Sequence, residues 1–359
     1  MEFVYTGKLA YADPTTWPPA EQSAIRAALE QIWPRYRLRI RPRRTPVAPG
    51  ASVEKPMTRR LFLALATTYR KQWPIGANTA IQGYSLSQAI ALLKQLQFPV
   101  IEIHPMGRPE PTPKVFPGFQ FDQLTNPQKQ QIRAELKPFK TITTHLPYSG
   151  LNWLSPDAST QKTAIQTVDT ALEGSAYFGA TMAVLHPQPL TQETWKTRQN
   201  EYIEIITRWA NRARQLGVKI AVETGFPQSI DDFVTLIQTI DHPNIGATID
   251  VGHQGRYVEI NKIPAESRSL PASIKAYNDT TIAILNRLGP KVFHLHVHDI
   301  DPETWVEHKP LVHNFVDYPR LFQTLANIKY KGALVLEIGG PPEQMPANLE
   351  TARRKLQSY

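Results

Sequence analysis

The stretch Val292-Phe-His-Leu-His-Val-His-Asp299 carries histidine at every second position and closes on an aspartate. Side chains along a β-strand alternate between faces, so Phe293, Leu295 and Val297 share one side and His294, His296 and His298 the other. One face is apolar and the other is a column of imidazoles. Such a column is costly to bury unless each ring finds a partner. Whether partners exist depends on how the other strands of the chain end.

Outward from this stretch, short apolar and β-branched runs recur at PVIEIHP (99–105), TITTHLPY (141–148), TMAVLHP (181–187), KIAVETG (219–225), IGATIDVGH (245–253) and ALVLEIGG (333–340). Amphipathic stretches at helical spacing lie between them: Ser87–Leu96 behind a serine able to cap, Glu201–Leu216, Ile274–Leu288 and the shorter Asp317–Ile328. Strands alternating with helices predict a parallel sheet. Seven clear strands and a weaker one at Ile75-Gly-Ala-Asn-Thr79 predict a TIM (β/α)8 barrel. No G-x-G-x-x-G follows an early strand, which argues against a dinucleotide-binding sheet.

In such a barrel the C-terminal strand ends and the loops after them form the active-site mouth. Here those ends carry Glu102 with His104, His145, His186, Glu223, Asp250 with His253, His296 with His298, and Glu337. Packing gives no reason to choose an acid or an imidazole at one end of strand after strand. Alternation places Glu223 on the face of small Ala221, and puts Asp250 with Thr248 and Glu337 with Val335. Three acids crowded at one mouth repel unless a cation neutralises them. Glu223, Asp250, His296 and Glu337 form an oxygen-rich set with one nitrogen, suited to Mn²⁺, Mg²⁺, Co²⁺ or Zn²⁺.

Composition bounds the rest. The 359 residues are 41% apolar, enough for a sizeable core, and include no cysteine. Disulfides, thiolate zinc sites and thiol nucleophiles are therefore excluded. No run approaches the roughly 18 apolar residues of a membrane span. The net charge of +9 is uneven: residues 1–72 hold thirteen Lys/Arg against five Asp/Glu, whereas residues 73–359 hold 27 against 26. We divide the chain into a basic, Pro-rich N-terminal extension (1–58) and the barrel (59–359). The densest basic run, Arg35 to Arg44, is the part that could touch an acidic partner or nucleic acid. Thr58-Arg-Arg-Leu-Phe-Leu-Ala64 looks like a twin-arginine export signal, but its apolar run is short and soon meets Tyr69-Arg-Lys71. A cytoplasmic location is expected.

Taken in order, THLPYSGLNWLSPD, VLHPQP, AVETG, ATIDVGH, HVHD and LVLEIGG resemble the xylose-isomerase-like TIM-barrel superfamily over roughly residues 75–345. That superfamily includes sugar-phosphate isomerases and epimerases and the type IV apurinic endonucleases. The resemblance implies a metal centre of Glu223, Asp250, His296 and Glu337. It favours His296 over His298 because the family's histidine lies three positions before an aspartate, here Asp299. In the epimerase branch the two glutamates also exchange protons, which makes Glu223 and Glu337 the implied acid–base pair and a sugar-like small molecule the implied substrate.

The endonuclease branch, acting on nucleic acid, uses three zinc ions. His145, His186, His253 and His308 stand where its additional histidines would. That branch expects an aspartate two residues before His308, where this chain has Val306; the neighbouring Glu307 is a possible substitute that leaves the backbone in a different direction. His298 is a further possible ligand. Trp153, Tyr148 and Trp305 are placed to wall a pocket, and Arg256 and Lys309 to hold a phosphate or carboxylate of the substrate.

Overall fold

A computed structural model describes residues 73–359 apart from 112–115. The basic N-terminal run, the boundary at 58/59 and the arginine pair at 59–60 lie outside the described residues. Eight parallel strands close into a barrel in sequence order: β1 (Ile75–Asn78), β2 (Val100–Ile103), β3 (Thr141–His145), β4 (Met182–Leu185), β5 (Lys219–Glu223), β6 (Ile245–Asp250), β7 (Val292–Val297) and β8 (Leu334–Leu336). The TIM-barrel expectation holds, including the weak first strand. β8 pairs back onto β1 with Leu336 beside Ala77, so no strand edge is left open.

The alternation read from the strands decides what fills each layer. Outward-facing Ile101, Ile103, Ile220, Val222, Ile249, Leu295 and Val297 are fully buried against the helices. Val100, Ala333 and Val335 form a separate small apolar cluster. They share strand faces with Glu102 and Glu337, and so plug the interior below the mouth.

Several helices start where the chain supplies a capping side chain. Ser85 and Thr125 each form a reciprocal capping box with a glutamine three residues on, opening helices Leu86–Gln95 and Asn126–Leu136. The capping serine of the first is thus Ser85. Ser87 is the second residue of that helix and donates to Glu135. The helix expected over 201–216 is longer, Gln192–Gln215, because Thr191 caps it earlier. Among the described residues no helix is long and apolar enough to cross a membrane.

Candidate metal centre at the barrel mouth

The column of imidazoles on β7 is satisfied ring by ring from other strands. His294 Nε2 lies 3.1 Å from Glu102 Oε2, and His296 Nε2 lies 2.9 Å from Glu102 Oε1. Thr143 donates to the same carboxylate at 2.9 Å. His298 Nε2 sits 3.0 Å from Asp250 Oδ1. Glu102 is therefore an acid of the barrel interior, beneath the mouth, where the sequence suggested only a residue lining it.

Above that layer, His296 Nδ1 is the meeting point of three acids. It lies 2.6 Å from Glu223 Oε1, 3.0 Å from Glu337 Oε2 and 3.7 Å from Asp250 Oδ2. Parallel register brings this about: Asp250 stands level with His296 across β6–β7, and Glu223 is level with Thr248 across β5–β6. All four expected ligands thus converge.

The charges are strongly interdependent. Burial by itself would protonate the acids, but the imidazoles outweigh it. His296 holds Glu102 and Glu223 well below the usual carboxylate range and Glu337 at about 2. Burial is likewise outweighed at Asp250 by His253 and His298. In return, the acids overcome burial and hold His296 well above its ordinary value, with His145 and His298 at about 9.

A divalent cation fits these residues on a separate observation. Glu223 Oε2 and Asp250 Oδ2 are buried without a hydrogen-bond partner among the described residues. Buried, ionised oxygens in that state are costly unless a cation meets them. Glu223, Asp250, His296 through Nδ1, and Glu337 are the residues able to hold it, and the donor set of oxygens plus one nitrogen suits a hard or borderline divalent ion.

Four further histidines ring this centre. His145 Nε2 and His186 Nε2 lie 3.4 and 4.0 Å from Glu223 Oε2. His253 Nε2 is 3.8 Å from Glu307 Oε2, and His308 Nε2 is 3.7 Å from Glu307 Oε1. Glu307, the possible substitute for the missing aspartate, thus reaches both histidines despite its different direction from the backbone. His308 has a φ of +61°, and the chain turns so that both side chains face the mouth. Gly252 makes room for this loop, since a Cβ there would lie 2.4 Å from His298 Cε1 and 2.8 Å from Glu307 Cβ.

Arg256 reaches the mouth, contacting His186 and Glu307. Tyr148 is partly exposed and packs edge-on against His145 at 5.2 Å between ring centres. Trp153 does not wall the pocket. It is 4% exposed and packs on Trp209 at 4.4 Å and Tyr202 at 5.3 Å, in the layer between barrel and helices. An indole buries more apolar area there than at a wet rim.

Lys309 is tied through its backbone to Asp299, and Trp305 packs on Tyr277 and Phe315. Asp299, which ends the opening motif, anchors the next loop. Its carboxylate accepts from the backbone N–H groups of Ile300, His313, Asn314 and Phe315.

A closed (β/α)8 barrel with acids and imidazoles gathered at its C-terminal mouth defines the class. The chain belongs to the xylose isomerase-like TIM barrel family, whose model matches residues 90–358. No curated protein matches it.

Solved structures of similar fold include a D-tagatose 3-epimerase-like protein, with 18% identity, TM-score 0.55, and coverage of 79% of this chain and 99% of the other. A D-psicose 3-epimerase from Clostridium cellulolyticum H10, solved with D-tagatose, is 16% identical with TM-score 0.56, covering 79% and 99%. A xylose isomerase-like TIM barrel protein from Mycobacterium smegmatis in complex with magnesium is 18% identical with TM-score 0.55, covering 80% and 97%.

Proposed function

We propose that this chain is an enzyme, a divalent-metal-dependent isomerase or epimerase of a sugar or sugar phosphate, working by proton transfer beside a carbonyl. The observation that carries the reading is the convergence of Glu223, Asp250 and Glu337 on His296 Nδ1. Glu223, Asp250, His296 and Glu337 would hold the ion. A bound divalent ion would polarise the substrate carbonyl and offset the charge of an enediolate, without which that C–H is too weakly acidic for a carboxylate.

The protein's own groups do the rest. Glu223 and Glu337 are both ionised and approach His296 from different strands, so one can take a proton while the other returns one. Glu337 is the more open of the two, with its side chain 20% exposed against 1% for Glu223. That places it toward the face from which a substrate enters. Structural neighbours named as epimerases of tagatose and psicose support a small polyol substrate.

The test is incubation of the metal-loaded chain with a panel of ketoses and their phosphates in D₂O. Deuterium appearing at the carbon beside the carbonyl is the expected result. No exchange with any member of a broad panel would count against proton transfer.

A second reading is a metal-dependent phosphodiesterase of the type IV apurinic endonuclease kind, acting on nucleic acid. The two further clusters, His145 and His186 beside Glu223 and His253 and His308 beside Glu307, favour it. Cleavage of an abasic duplex would promote it over the first.

A further inference from the structure

Two groups beside the centre bring histidines to a carboxylate, and one side chain is bonded into both. Arg256 Nη1 is 3.1 Å from His186 Nε2, and Arg256 Nη2 donates to Glu307 Oε1 at 2.6 Å. His186 Nδ1 lies 3.1 Å from the carbonyl of Pro187, so the ring donates there. Its Nε2 lone pair is left to accept from the guanidinium.

The position of Arg256 is built into the backbone. Gly225 has a φ of +119°, and a Cβ on it would approach Arg256 Cδ to 3.0 Å. The hydroxyl of Tyr257, the next residue after Arg256, accepts from the Gly225 N–H at 3.0 Å. The glycine after the β5 motif thus forms the cradle in which the arginine lies.

We propose that Arg256 keeps this centre to a single metal ion by taking the place of further cations. This rests on the reading that Glu223, Asp250, His296 and Glu337 hold an ion. A second ion beside Glu223 would need His186 Nε2, and a third between His253 and His308 would need the charge of Glu307. Arg256 occupies both, as a cation that does not deprotonate. His145 with a shared carboxylate is too small a set to hold a divalent ion, which ordinarily takes at least three protein ligands. The arginine and His186 are then left as hydrogen-bonding groups at the mouth.

The experiment is a count of bound metal. The full chain is saturated with Mn²⁺ or Zn²⁺, desalted and assayed for metal per chain, alongside Arg256→Met and Arg256→Met/His186→Gln. The wild type should hold about one equivalent, Arg256→Met more than one, and the double variant fewer than Arg256→Met. Thermal melts establish that each variant is folded.

Electron paramagnetic resonance of the Mn²⁺-loaded wild type adds a measurement independent of the variants. An isolated ion is expected, and an exchange-coupled pair would overturn the proposal. Two or three equivalents in the wild type, or one in a folded Arg256→Met, would overturn it while leaving the metal centre standing. No binding to the wild type at all would sink the metal-centre reading itself, and this proposal with it.

Discussion

Glu102 on β2 accepts a hydrogen bond from His296 Nε2 on β7 at 2.9 Å, beneath the barrel mouth. With that nitrogen committed downward, the ring must present Nδ1 to Glu223, Asp250 and Glu337. A carboxylate behind a ligating histidine fixes the ring's orientation and tautomer and raises its basicity. Glu102 itself is held by Thr143 and His294.

Removing the negative charge of Glu102 should therefore act through His296. Glu102→Gln is expected to weaken metal affinity by about 10- to 100-fold, the range for such outer partners. Calorimetric titration checks this. Affinity equal to wild type would show that His296 is oriented by its strand alone.

Without a bound cation, His145 and His298 titrate at about 9, against 6.5 for an ordinary histidine. A raised folded pKa contributes stability that is full below 6.5 and lost as pH climbs through 9. His104 and His186, lowered to about 4 chiefly by burial, have the opposite sign: their contribution is present above 6.5 and lost as pH falls toward 4. Thermal melts in chelator should peak near pH 6.5. Metal affinity should instead rise from pH 6.5 to 9, because the cation must displace a proton from His296. A metal-free melting temperature that climbs over that interval would contradict these assignments.

Glu337→Gln keeps the size of the side chain and removes its capacity to carry a proton. Loss of a positioned acid–base group costs typically about 10²–10⁴-fold. Solvent deuterium exchange into substrate should fall by that amount with the fold intact. Exchange at the wild-type rate would remove Glu337 from the proton path.

Trp153 is a stability residue on its contacts with Trp209 and Tyr202. Trp153→Ala should cost about 3–5 kcal/mol in denaturant unfolding. The milder Trp153→Phe should leave KM unchanged. A rise in KM without loss of stability would return this tryptophan to the pocket wall.

Much of this arrangement could be read from the chain. Period-two alternation in Ala221-Val-Glu223, Thr248-Ile-Asp250 and His294-Leu-His296 is local geometry, and it assigns each side chain to a face whatever the rest of the molecule does. The recurrence of strand and helix then implies a barrel, and a barrel sends every strand's C-terminal end to one mouth. Those two facts were enough to bring Glu223, Asp250, Glu337 and the β7 histidines to one mouth, and the family resemblance singled out His296 among them.

Pairings across the barrel were not accessible in the same way. Glu102 and His296 are 194 positions apart on strands that are not neighbours, and Arg256 meets His186 over 70 positions. The turn at His308 that brings Glu307 inward, and the packing of Trp153 against Trp209 and Tyr202, depend on loop conformation. Face and order are properties of each strand by itself, so the chain determined the fold and the principal acids and imidazole. Which side chains touch across the closed barrel depends on its register and loops. Only the folded molecule decided that Glu102 supports His296 and that Arg256 lies between His186 and Glu307.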